Sequence, residues 1–219
     1  MSKQKPKRMS KALVRYTLMA LSILLIVWSL WPPATDRQTL AVDPGFIETF
    51  DVQDCAALDQ LSDYEFELVV PRALWKAQNS TILLTVRRVS AASAAGDILS
   101  ASNDTCSLAL ETRVDVNNLR SEPGNVIVQP FVGADTQSFV FTISPLASGT
   151  LSGKLWVYAV LRGPASAEGQ SLPLFAIPLD LPVWTILGQP PVLVRYLSLL
   201  VLLILLALEM RRRLLMERR

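Results

Sequence analysis

Two apolar runs bracket this chain, and neither leaves a polar stripe that a surface helix could turn toward water. The first, 12–31, holds the unbroken core TLMALSILLIVWSLW and is closed by Pro32 and Pro33, which cannot continue a helix. The second opens after Pro190 and Pro191 and reads VLVRYLSLLVLLILLALEM, with Arg195 as its only charge before Glu209. At about 1.5 Å per residue, each approaches the roughly 20 residues that a helix needs to cross about 30 Å of hydrocarbon. Transmembrane helices are therefore expected at 12–31 and 191–209. Short tails remain at 1–11 and 210–219, and a large segment, 32–190, lies between the spans. The lipid bilayer is the first partner this pattern implies.

Charge sets the direction of insertion. The net charge of +2 conceals basic ends and an acidic middle: Met1 to Tyr16 carries six basic residues and no acid, ending at Arg15. Glu209 to Arg219 carries five arginines against two glutamates, whereas Pro32 to Pro190 carries nine basic residues against seventeen acidic ones. Lys and Arg flanking a span are retained in the cytoplasm, so both tails are placed there and 32–190 is placed outside. The expected location is the cell membrane, with two passes. A cleaved signal peptide is the rival reading of the first run. The apolar stretch is longer than an h-region of about 7 to 15 residues, and WPPATDRQ offers no small-x-small cleavage site, which favours an uncleaved anchor. Either version exports the middle segment.

Composition excludes much chemistry. The chain has no histidine and two cysteines, which removes the commonest metal ligand, the commonest general base and any multi-cysteine zinc or iron-sulfur site. No metal, no small-molecule cofactor and no nucleic-acid partner is expected. Cys55 and Cys106 are an even count in a compartment that tolerates disulfides, and a bridge between them is the expected arrangement.

Between the spans the pattern alternates with period two, as in strands with one wet side. Cys106, Leu108, Leu110, Thr112, Val114 and Val116 fall on one face, opposite Ser107, Ala109, Glu111, Arg113 and Asp115. Tyr64, Phe66, Leu68 and Val70 form a second inner face, ended by Pro71. Further strands are predicted over 81–89, 125–132 (with Pro130 marking an edge or bulge), 138–144, 151–161 and 172–183, making seven in all. Trp75 falls in a link between them. Regularly spaced short strands joined by turn-rich links read as an antiparallel β-sandwich or barrel.

The stretch Phe139-Val-Phe-Thr-Ile-Ser-Pro-Leu-Ala-Ser-Gly-Thr, followed by Leu151-Ser-Gly-Lys-Leu-Trp-Val-Tyr, resembles the strand, corner and strand of membrane-attached immunoglobulin-like modules. That resemblance implies an Ig-like sandwich flanked by the two transmembrane helices. The cysteines depart from the antibody pattern, because Cys55 precedes the Tyr64 strand.

Few side chains suggest chemistry. The acidic residues from Asp43 to Glu67 lack a calcium-loop spacing and read as a solvated face. A nucleophilic serine would need a lysine base, for which Ser152-Gly-Lys154 is the available pair. Asn79-Ser-Thr and Asn103-Asp-Thr satisfy the glycosylation rule. Arg195 is expected to snorkel to the outer interface beside Tyr196, the functional alternative being an acidic partner on another subunit. Trp28, Trp31 and Trp184 are expected in an interfacial aromatic belt, with 181–187 resting on the membrane surface. The function these features suggest is non-catalytic: an accessory, scaffold or assembly component of a membrane complex, bound to other membrane subunits. Trp156 and Tyr158 are candidate protein contacts. A surface receptor or adhesion module is the second class, and an anchored hydrolase the third.

Overall fold

The structure is a computed structural model, and it describes residues 10–43, 45, 58, 60–89, 106–131, 136–162 and 169–217. The chain divides into two compact units, one formed by Met1–Pro32 with Thr185–Arg219 and the other by Pro33–Trp184.

The first unit is a pair of helices, α1 (Ser10–Leu30) and α2 (Pro191–Glu217), both long and apolar enough to cross a membrane. The prolines define the near ends. Pro191 occupies the first helical position of α2, where its missing N–H costs nothing, and the Pro190 carbonyl accepts from Leu193 N (3.1 Å) and Val194 N (3.3 Å). Along α1 the less exposed side chains are Arg15, Met19, Ser22, Leu25, Ile26 and Ser29; along α2 they are Pro191, Val194, Arg195, Ser198, Leu202, Leu205 and Glu209. Both sets step by threes and fours, the spacing of a coiled-coil seam. Serine at Ser22, Ser29 and Ser198 lets the backbones approach, as small residues do between membrane helices.

One contact fixes the register. Arg195 donates from Nε to Ser29 Oγ (3.3 Å) and from a terminal nitrogen to the Ser29 carbonyl (2.9 Å). The Ser29 hydroxyl proton is already given to the Ile26 carbonyl (2.8 Å), so its oxygen is available as an acceptor. Ser29 lies in the last turn of α1, whose carbonyls have no partner within the helix, so a cation there satisfies an orphan acceptor and meets the negative end of the dipole. Following the antiparallel seam from this point brings Ser22 level with Leu202 and Arg15 level with Glu209.

The second unit has ten strands among the described residues: β1 (Thr35–Ala41), β2 (Tyr64–Pro71), β3 (Leu74–Trp75), β4 (Ser80–Arg88), β5 (Ser107–Val116), β6 (Leu119–Glu122), β7 (Val126–Pro130), β8 (Thr136–Pro145), β9 (Gly149–Arg162) and β10 (Gln170–Trp184). They form two five-stranded sheets, ordered β1-β2-β4-β8-β6 and β3-β10-β9-β5-β7. Every pairing is antiparallel except β3 with β10, which is parallel, a departure from the purely antiparallel expectation. The inner faces meet in one apolar core. Phe66, Leu68, Ile82, Leu84, Phe139 and Phe141 from one sheet are buried with Leu110, Leu155, Val157, Leu179 and Leu181 from the other. Phe66 meets Phe175 edge to face at 5.1 Å, and Tyr64 meets Phe131 in the same way at 4.8 Å.

All seven predicted strands are present, and the inner faces read from alternation at Tyr64–Val70 and Leu108–Val114 are the buried ones. Pro130 lies on β7, an edge strand, where no ladder hydrogen bond is lost. Three strands were not foreseen. β1 is hydrophilic and exposed on a sheet edge, and β3 is two residues long. β6 follows a turn at Asn117-Asn118 in which Asn118 adopts φ 58°, and its polar sequence LRSE hides the strand. Trp75 is corrected accordingly: it belongs to β3 and is buried, because the chain after Pro71 crosses to pair alongside the end of β10.

Candidate binding face on the outer surface of a sheet

Alternation along β9 decides what the sandwich shows to solvent. Leu151, Leu155, Val157, Ala159 and Leu161 turn inward, so Thr150, Ser152, Lys154, Trp156 and Tyr158 line the outer face. Register adds their neighbours. Trp156 lies between Ala176 of β10 and Arg113 of β5, Tyr158 between Pro173 and Glu111, and Lys154 between Pro178 and Asp115. One strand further, Val126 and Val128 of β7 stand opposite Arg113 and Glu111 and are exposed.

The two rings form a stack, with centroids 5.9 Å apart and planes 19° from parallel. Lys154 Nζ lies 5.2 Å from the Trp156 centroid, a cation over the ring. Such contacts contribute about 0.5–1.5 kcal/mol for the ring pair and about 0.5–1 kcal/mol for the exposed cation, enough to hold the ladder in one orientation. Ser152 Oγ donates to Asp180 Oδ1 at 2.7 Å. The Ser152-Gly-Lys154 motif therefore spends its hydroxyl on Asp180 and its ammonium on Trp156, and the two are not brought together as nucleophile and base.

Proline shapes the border of this face. Pro173, Pro178 and Pro182 stand opposite Tyr158, Lys154 and Thr150, every fourth residue of β9. The register shift between Pro173 and Phe175 brings Pro173 into phase with the other two. All three thus aim their donor-less nitrogens the same way, away from β9 and toward the outer edge of β10, which β3 covers only at Val183 and Trp184. Three prolines remove part of the row of donors along this edge, leaving Ala176 and Asp180 to donate there, and an edge so thinned adds another strand less readily.

The remaining predicted residues are distributed as follows. Trp184 ends β10, partly exposed, and packs edge to face on Trp75 at 5.5 Å. In the helical unit Trp28, Trp31 and Tyr196 are exposed, while Arg15 and Arg195 are half-buried on the seam. Arg195 is half-buried and donates to Ser29 of the same chain. Ser29 escaped the reading of the sequence, although its seven-residue spacing from Ser22 within an apolar run is the signal that could have found it. Lys154 was read as a possible base rather than as a cation over an aromatic ring, yet Lys154, Trp156 and Tyr158 already alternate with period two.

Cys106 immediately precedes β5 and packs against the core, and no free cysteine occurs among the described residues. Cys55 and Asn103 lie outside the described residues. Asn79 is exposed and, with Arg120, Glu122, Thr142 and Ser144, lines a shallow polar cleft of about 180 Å³. In the acidic stretch, Glu65 pairs with Arg87 (3.1 Å) and Glu67 with Arg37 (3.4 Å), both on the exposed side of β2. Among the described residues no three His, Cys, Asp or Glu side chains gather as metal ligands.

No family model and no curated protein matches this chain. Among solved structures, the cupredoxin domain of amoB from Nitrosocaldus yellowstonii aligns over 71% of this chain and 86% of that one, at 14% identity and a TM-score of 0.22. A superposition that loose adds nothing to the topology described above.

Proposed function

We propose that the chain is a two-pass protein of the cell membrane, with both termini in the cytoplasm, and that it presents an Ig-like sandwich outside as a non-catalytic accessory or assembly component of a membrane complex. The observation that carries this reading is the surface of the helix pair. Outside the seam, Leu13, Leu24, Val27, Leu197, Leu200, Leu203 and Leu206 are all exposed, and only 11% of the first apolar window is buried. Water does not tolerate a continuous leucine surface of that size, whereas hydrocarbon does. The basic blocks at the two tails favour the stated orientation.

Strand order supports the Ig-like assignment. The runs β2-β4-β8 and β10-β9-β5 reproduce the A-B-E and G-F-C orders of that fold. The cysteine geometry differs, since Cys106 precedes β5 rather than lying on β4 or β9. We assign the Cys106 partner as Cys55, the other cysteine of the chain.

Binding rather than catalysis is supported by the outer face of β9, where the Trp156–Tyr158 stack is flanked by charges of both signs and bordered by exposed valines. Aromatic residues ringed by polar ones are the usual composition of a contact patch. Mild-detergent extraction followed by native mass measurement tests the proposal: co-purifying membrane subunits are expected, and Trp156→Ala should weaken their retention without unfolding the chain. A lone chain would refute the accessory role and favour a receptor or adhesion module.

A further inference from the structure

Between the sandwich and α2 the chain makes a tight turn, Ile186-Leu187-Gly188-Gln189, closed by two hydrogen bonds of 3.0 Å between Ile186 and Gln189. Both central residues have positive φ, 53° at Leu187 and 76° at Gly188, the conformation of a type I′ turn. Glycine suits its position. Leucine does not, because its Cβ crowds the backbone there and asparagine or glycine is strongly preferred. The side chain held in this unfavourable conformation is also 90% exposed, more than any other large apolar side chain among the described residues. Neither folding nor packing accounts for a leucine at this tip.

The helix pair indicates what meets it. The Arg195–Ser29 contact places the start of α2 and the end of α1 together, so Trp28 (51% exposed), Trp31 (67% exposed) and the Leu187 turn share one end of the hairpin. Pro190 alone separates the turn from the first helical residue of α2, and a few residues beyond the hydrocarbon edge is interfacial depth. Tryptophan favours that depth, and an exposed leucine beside it gains by entering the acyl boundary. We propose that the 186–189 turn is a lipid-docking tip that inserts Leu187 into the outer interface of the bilayer, level with the tryptophan belt, and so restrains the linker to the sandwich. This rests on the two-pass reading above.

The test attaches an environment-sensitive fluorophore to Leu187→Cys and, separately, to Leu200→Cys in the full chain, reconstituted in vesicles of equimolar phosphatidylcholine and phosphatidylglycerol. The parent chain serves as the labelling blank. The Leu187 probe should shift to the blue and lose more emission to lipids bearing a nitroxide near the glycerol than to lipids bearing one near the chain end; the Leu200 probe should show the reverse. A Leu187 probe open to an aqueous quencher, with the Leu200 probe in lipid, overturns the docking tip and leaves the spans standing. Both probes in water overturn both readings. A Leu187 probe shielded from water yet untouched by either nitroxide lipid means that protein covers the turn, which also refutes lipid docking. Leu187→Asn separates strain from lipid contact: it should raise the melting temperature in detergent, and a fall would contradict the conformational argument.

Discussion

Gly153→Ala probes the sandwich where two backbones come closest. Gly153 on β9 faces Val116 on β5, and a Cβ built at that position would lie 2.7 Å from both Val116 Cα and Val116 Cγ2, and nearer still to the Asp115 carbonyl oxygen. Two of those three atoms are backbone, so no rotamer change relieves the clash, and the strands must part at the centre of a sheet. Overpacking of this kind costs about 1–3 kcal/mol. Against it, alanine reduces the entropy of the unfolded chain, a gain of about 0.4–1 kcal/mol where the native backbone suits it. The net loss is about 1–2 kcal/mol. At about 2–4 °C per kcal/mol for a domain of this size, the melting temperature should fall by about 2–8 °C, followed by tryptophan fluorescence in detergent. An unchanged or higher melting temperature would refute the described β5–β9 approach and, with it, the register that aligns Trp156 with Arg113.

Thr112 is wholly buried and its hydroxyl has no hydrogen-bond partner among the described residues, so Thr112→Val should stabilise by about 1–2 kcal/mol, read from the same thermal transition. A loss of stability would show that the hydroxyl is satisfied. Cys106→Ser should cost up to about 4 kcal/mol, the chain-entropy value for closing a loop of about 50 residues, and non-reducing peptide mapping should recover Cys55 joined to Cys106. Two free thiols in exported protein would contradict the pairing. In the helix pair, the register carries Ile26 level with Ser198 on the seam, whereas Leu197 faces outward. Oxidation should therefore cross-link Ile26→Cys with Ser198→Cys and fail with Leu197→Cys; the opposite result would displace the seam.

The strands that were legible are those whose two faces see different media. Tyr64–Val70 and Leu108–Val114 alternate because one side is core and the other water, and the sequence carries that contrast directly. β1 and β6 carry none of it, since edge strands such as TDRQTLA and LRSE are held by ladder hydrogen bonds to β2 and β8 rather than by an apolar face. Two-residue β3 is beyond any periodicity, and its parallel partner is more than a hundred residues away along the chain. The candidate face was half legible: Trp156 and Tyr158 announce themselves, but Pro173 joins them only through a bulge that shifts register by one. Arg195 conceals its intrachain partner for a similar reason. Its partner Ser29 is short, neutral and distant in sequence, whereas charge-based reasoning looks for an acid.

The account depends most on where the sandwich lies relative to the membrane. Protease added to spheroplasts expressing the chain with a tag at each terminus should degrade the 32–190 segment while leaving both tags on protected fragments, each large enough to hold one helix. Full-length chain that survives until the cells are lysed, or tags removed from intact spheroplasts, would contradict it.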